Sequence, residues 1–131
     1  MTQEFVPYEL AAKLKAIGFN EPCMFVHDTW GNTKNWTEDG EGEHRNSHIN
    51  ASIYYSAPLF QQVFRWFRNV HKLWGYQIPW SGNMYCMQIW RLIEDSETVK
   101  TIQDRVIMNT WEETELACLE KLIEIVETKS E

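Results

Sequence analysis

One stretch of this chain constrains its fold more than any other: residues 56–74, SAPLFQQVFRWFRNVHKLW. Its apolar residues recur at three- and four-residue steps, which is the period of a helix with one buried side. They are Phe60, Val63, Phe64, Phe67, Val70 and Trp74. Ser56 is a suitable N-cap and Gly75 is a suitable residue to end the helix. The pattern predicts an amphipathic helix over 56–74 on which the rest of the chain packs.

The side of this predicted helix opposite the apolar residues is basic. Arg65, Arg68 and Lys72 stand three and four residues apart, so a regular helix places them on one ridge. Residues 44–93 contain no Asp or Glu and carry a charge of +5, whereas 1–43 and 94–131 carry −5 and −7. The net charge of −7 therefore conceals a segregated distribution.

The other segments alternate between helical and extended patterns. Residues 7–17 predict a helix that ends at Gly18, with Phe19 folding back on it, and Thr110 with Glu113 predicts a capping box that opens a final helix. Extended patterns cover 23–30, 49–55, 76–80, 84–93 and 105–108. Together these predict an α+β fold, with three helices packed on an antiparallel sheet of about four strands in the order α-β-β-α-β-β-(β)-α.

The length and composition predict one domain over 1–131. A chain of 131 residues can bury a core without disulfides or metals. Residues 31–48 hold three glycines and few apolar side chains, so we expect a long polar loop there. The three cysteines show no CxxC spacing, which indicates reduced core thiols. We find neither an apolar run of membrane-spanning length nor a signal-peptide pattern, and we expect a cytoplasmic protein.

Candidate chemical groups are few. His44 and His48 are four residues apart in the predicted loop and are the best candidates for metal ligands. A histidine pair without further fixed donors binds metal weakly, so we expect no metal and no cofactor. Cys23 and His27 lie too far apart on an extended strand to form a nucleophilic pair. Since no catalytic motif occurs, these observations favour a protein that is not an enzyme.

Three segments together resemble a family of small phage and prophage-type proteins of gut bacteria that has no known activity. The segments are PYELAAKLKAIGFNEPC, YSAPLFQQVFRWFR and NTWEETELACLEKLIEIV. The resemblance covers most of the chain except 31–48 and 94–105. It implies an origin in a phage or prophage, and it implies no ligand and no site residue.

The basic ridge leaves several interpretations open. Arg65, Arg68 and Lys72 can contact a protein partner or a second copy, bind nucleic acid, lie beside acidic groups of their own molecule, or simply be solvated. Three phosphate contacts give a salt slope of only about −2.7, and the acidic flanks repel a polyanion. We therefore expect a non-enzymatic accessory or interaction protein that acts through protein contacts and can form a homodimer. The alternatives are a weak nucleic-acid-associated protein and a small enzyme or metal-binding protein that uses the 31–48 loop.

Overall fold

The computed structural model describes residues 5–35, 44–46, 54–92 and 99–129. The chain divides into two compact units and passes from the first to the second between Gln62 and Val63. Each unit contains one three-stranded antiparallel sheet. The single domain expected over 1–131 is not tested by this division and stays a prediction.

The helices and strands confirm an α+β fold. They are α1 (Tyr8–Ala16), β1 (Phe25–Asp28), β2 (Thr33–Asn35), β3 (Tyr54–Ser56), α2 (Phe60–Trp66) with a π-helical segment (Phe67–His71), β4 (Leu73–Pro79), β5 (Tyr85–Leu92), β6 (Val99–Met108) and α3 (Trp111–Lys129). The predicted single sheet of about four strands is wrong, because the described residues form six strands in two sheets, ordered β2-β1-β3 and β4-β5-β6.

Helix α1 ends as the sequence predicts. Phe19 N donates to Leu14 O at 2.9 Å and Gly18 N donates to Lys15 O at 3.1 Å, which together form a Schellman motif. Gly18 has a φ of 100°, a left-handed conformation that glycine adopts without a steric penalty. The motif turns the Phe19 ring into the core of the first unit, where it is buried.

Strand β1 is the central strand of the first unit. Val26 pairs with Lys34 of β2 on one side and with Ser56 of β3 on the other, and its side chain is fully buried. Because β2 occupies 33–35, the start of the predicted 31–48 loop is a strand. A polar edge strand gives a weak signal in the sequence, since it has only one neighbour and keeps solvent on its other side. Residues 36–43, 47 and 48 of this loop lie outside the described residues.

The predicted helix over 56–74 is shorter at both ends. Ser56 ends β3 instead of capping a helix, and its backbone N donates to Asn46 Oδ1 at 2.9 Å. At the other end, Lys72 closes the π-helical segment with a φ of 58°, and Leu73 and Trp74 already belong to β4. A buried residue that directly follows a helix continues the helical spacing by coincidence, so periodicity alone places the boundary too late.

The second unit is a hairpin extended by a third strand and covered by α3. Strands β4 and β5 form the predicted hairpin, and β6 is longer than the predicted 105–108 segment. The predicted cap of α3 is present, since Glu113 N donates to Thr110 Oγ1 at 3.1 Å and that hydroxyl donates to Glu113 Oε1 at 3.0 Å. Among the described helices, α3 included, none is long and apolar enough to cross a membrane.

Candidate interaction surface

The basic residues predicted on one ridge lie at the surface of the second unit. Arg65 is exposed on α2, Arg68 is partly exposed on the π-helical segment, and Lys72 is exposed where that segment ends. We call these three residues the cationic strip. Within the described parts of the chain, no carboxylate forms an ion pair with any of them. Their positive charge is therefore turned to solvent without a described acidic partner.

The π-helical segment sets the arrangement of the cationic strip. Lys72 N donates to Phe67 O, the i to i−5 bond that widens the last turn. Lys72 Nζ donates to Asn69 O at 3.0 Å, so this ammonium group also satisfies a carbonyl at the helix end. Arg65 and Arg68 have no such capping bond to a described residue. Such wide turns are rare in proteins, and those that occur frequently lie at functional sites.

The same segment exposes an apolar side chain next to the strip. The sequence places Val70 in the buried stripe, but the side chain is 55% exposed. An extra residue in the turn rotates the following positions, so a side chain expected inside can emerge. Phe64 and Phe67 remain buried and anchor the helix. An exposed apolar group beside uncompensated cations suits a protein contact, which uses both apolar area and charge complementarity.

A second exposed feature is the tip of the β1–β2 hairpin in the first unit. Trp30 is 81% exposed there. Asp28 Oδ1 accepts hydrogen bonds from Trp30 N and Asn32 N, both at 2.9 Å, and Gly31 N donates to Asp28 O at 3.0 Å. Gly31 has a φ of 84°, as in hairpins that combine a type I turn with a bulge.

The sequence pattern predicts an extended segment over 23–30 and gives no prediction for the exposure of Trp30 at its end. The available signal was the spacing of Asp28 and Gly31, since Asp at the first and Gly at the fourth position are typical of a type I turn. Tryptophan is enriched among the residues that contribute most to protein interfaces. A tryptophan held in water by a fixed turn is therefore a second candidate contact residue.

His44 does not lie in a surface loop. Its side chain is fully buried, and its backbone pairs with Cys23 through two hydrogen bonds of 2.8 Å. His44 Nδ1 is hydrogen-bonded to the Ser56 hydroxyl at 2.8 Å. The other metal candidate, His48, lies outside the described residues. Across 5–35, 44–46, 54–92 and 99–129, no three potential ligands converge on one point.

The other polar groups of the first unit are also used for structure. His27 Nε2 donates to Val6 O at 2.7 Å, because a carbonyl can only accept, and Nδ1 accepts from Thr33 Oγ1 at 2.8 Å. Burial raises the pKa of the Cys23 thiol to about 12, more than the Ser56 hydroxyl lowers it. A thiol that stays protonated is a poor nucleophile. This arrangement holds β1 and its neighbours together and offers no activated group.

Comparison with known proteins does not identify the chain. No protein-family model, no curated protein and no solved structure matches it. The resemblance to small phage and prophage-type proteins therefore stays a prediction.

Proposed function

We propose that this chain is a non-enzymatic accessory or interaction protein of phage or prophage origin, which acts in the cytoplasm through protein contacts. The observation that supports this proposal is the cationic strip. Arg65 and Arg68 project from a helix whose other side is buried, and the described residues provide them with no carboxylate partner. The partner is a protein with an acidic surface.

An acidic protein suits this strip better than a nucleic acid does. Three cations bind a phosphate backbone only weakly. Helix α3 of the same unit exposes glutamates that repel a long polyanion: Glu112, Glu113, Glu120, Glu124 and Glu127. A compact acidic patch on a protein is shorter than a nucleic acid and therefore brings less negative charge near α3. The exposed Val70 adds apolar contact area that a phosphate backbone does not use.

Reversing the charge of the cationic strip is expected to weaken its binding to an acidic polypeptide. Fluorescence anisotropy with a short labelled poly-glutamate peptide, only long enough to span the cationic strip, should show about tenfold or weaker binding for the Arg65→Glu, Arg68→Glu variant, because two attractions become repulsions. The matched control is Lys13→Glu, Lys100→Glu, which changes the net charge equally at exposed positions on α1 and β6 and should bind like the wild type.

The same titration with a labelled DNA duplex separates the two classes of partner. The proposal requires the wild type to bind poly-glutamate and to bind DNA weakly or not at all. Equal loss of poly-glutamate binding in the control variant would show that only net charge matters and would overturn the proposal. Strip-dependent binding to DNA, with a salt slope near the value of about −2.7 for three phosphates, would replace it with the nucleic-acid function.

A further inference from the structure

The two faces of the β4-β5-β6 sheet differ in what covers them. Helix α3 lies on one face, where a Cβ built on Gly75 would be 2.7 Å from Cys118 Sγ. Side chains alternate between faces along a strand, so Trp74, Tyr76 and Ile78 belong to the opposite face. We call this the open face of the sheet.

The strand register shows that the open face is apolar. Ile78 pairs with Cys86 and Cys86 pairs with Ile107, so three apolar side chains cross the sheet in one row. In the neighbouring rows the rings of Tyr76 and Trp90 are in contact, with centroids 5.0 Å apart. Tyr76, Ile78 and Ile107 are 37%, 40% and 43% exposed. An antiparallel sheet covered on one side normally presents polar residues on the other, so this face has the composition of a contact surface.

A β-bulge adds one acid and one base to the open face. Met87 pairs with Val106 and Ile89 pairs with Gln103, which leaves two residues of β6, Asp104 and Arg105, opposite Gln88 alone. Gln88 Nε2 donates to Asp104 Oδ1 at 3.4 Å. The guanidinium carbon of Arg105 lies 5.3 Å from the centroid of the Trp80 ring. Arg105 Nε lies 3.9 Å from Asp104 Oδ1, so the apolar row is bordered by an exposed acid–base pair whose two members can exchange partners with those of a second copy.

We infer that the open face is the contact between two copies of this chain in a twofold-symmetric homodimer. A twofold axis brings the same patch of each copy together, so Asp104 of each copy can meet Arg105 of the other. The two charges cancel within each face, and therefore two such faces do not repel each other. This contact does not involve the cationic strip.

The distribution of acid favours this face over the opposite side of the sheet. The chain carries a net charge of −7, and α3 exposes its glutamates on the covered side. Two copies that approached each other through α3 would bring like charges together. Cys86 is already buried in the single chain, so the contact desolvates Ile78 and Ile107 on either side of it. This desolvation stabilises the pair, and the charges at its border fix the relative orientation.

The oligomeric state tests the inference. Light scattering coupled to size exclusion should give the wild type about twice the 15.6 kDa mass of the chain, about 31 kDa. The Ile107→Glu variant should elute as a monomer, because it places two carboxylates at the centre of the contact. The Met24→Glu variant is the matched control, since it changes an exposed apolar residue outside β4, β5 and β6 and should remain dimeric. Unchanged thermal melting of the isolated chains shows that each variant is folded.

Charge reversal at Asp104 or Arg105 tests whether each residue contacts the other in the second copy. Asp104→Arg puts two cations on each face and Arg105→Asp puts two anions there, so each variant alone should dimerise about tenfold more weakly or worse. A mixture of the two should form a mixed dimer, detected by native mass spectrometry. A partner other than a second copy cannot produce this rescue.

Each contrary result overturns the inference. A wild type that stays at 15.6 kDa at every concentration excludes the homodimer, whatever else binds the face. A dimer that survives Ile107→Glu uses another surface, and absence of the mixed dimer excludes the reciprocal pairs. Because poly-glutamate binding by the cationic strip is measured separately, failure of the dimer and failure of the proposed function can be distinguished.

Discussion

Replacing Gly75 with alanine is expected to lower the free energy of unfolding by about 1–3 kcal/mol, which is the usual cost of overpacking a core. The new Cβ would lie 2.7 Å from Cys118 Sγ and 3.1 Å from Leu122 Cδ1, both shorter than van der Waals contact. Cys118 and Leu122 are fully buried and have little room to move. Urea denaturation monitored by tryptophan fluorescence measures the change.

A double-mutant cycle with Cys118→Ala identifies the cause of this loss. Removing Sγ relieves the shortest contact, so Gly75→Ala should cost at least about 1 kcal/mol less in the Cys118→Ala background than in the wild type. A stabilising Gly75→Ala, or a cost that is the same in both backgrounds, would show that α3 does not pack on this strand as described.

Alkaline pH is expected to destabilise the fold before the native thiols ionise. Burial raises the pKa of both Cys23 and Cys118 from 9.0 to about 12. The folded chain favours the protonated thiols, so this stability is complete below pH 9. It is lost as the unfolded thiols ionise above pH 9, and the loss ends near pH 12, where the folded thiols ionise too. For two thiols the loss between pH 8 and pH 10 is about 3 kcal/mol.

The comparison that checks this pH dependence uses the Cys23→Ala, Cys118→Ala variant. Its free energy of unfolding should fall by about 3 kcal/mol less than that of the wild type between pH 8 and pH 10, because all other titrating groups are shared. Equal falls in the two proteins would mean that the native thiols ionise in their ordinary range and are accessible to water.

The helix ends with strong local signals were predictable from the sequence. Gly18 and Phe19 end α1 through a motif that needs only neighbouring residues, and Thr110 with Glu113 opens α3 in the same way. The β4–β5 hairpin also follows from a local turn signal. These elements are correct because the residues that define them are adjacent in the chain.

Features that depend on distant partners were not predictable. Ser56 looks like an N-cap, but its backbone N bonds to Asn46 in a strand context that spacing cannot reveal. The split into two sheets depends on which strands pair, and period-two patterns do not specify partners. Recognition of the open face requires the register of β5 and β6, including the bulge at Asp104 and Arg105, and the sequence does not specify that register.

The candidate site was predicted in part. The helical spacing predicts Arg65, Arg68 and Lys72 on the side opposite the apolar residues, and the structure shows Arg65 and Lys72 exposed and Arg68 partly exposed. The sequence did not indicate the π-helical segment, which moves Lys72 to a capping position and exposes Val70. Trp30 was missed because its exposure depends on the turn that Asp28 fixes.

The stability of the Arg65→Glu, Arg68→Glu variant tests the central claim most directly, namely that the charge of the strip is available to a partner and is not used within the chain. Two surface cations without a described internal partner should leave the free energy of unfolding within about 0.5 kcal/mol of the wild type, as in the Lys13→Glu, Lys100→Glu control. A loss of about 3 kcal/mol, the size expected when a buried ion pair is broken, would show that these arginines are neutralised inside their own molecule. That result would contradict the account.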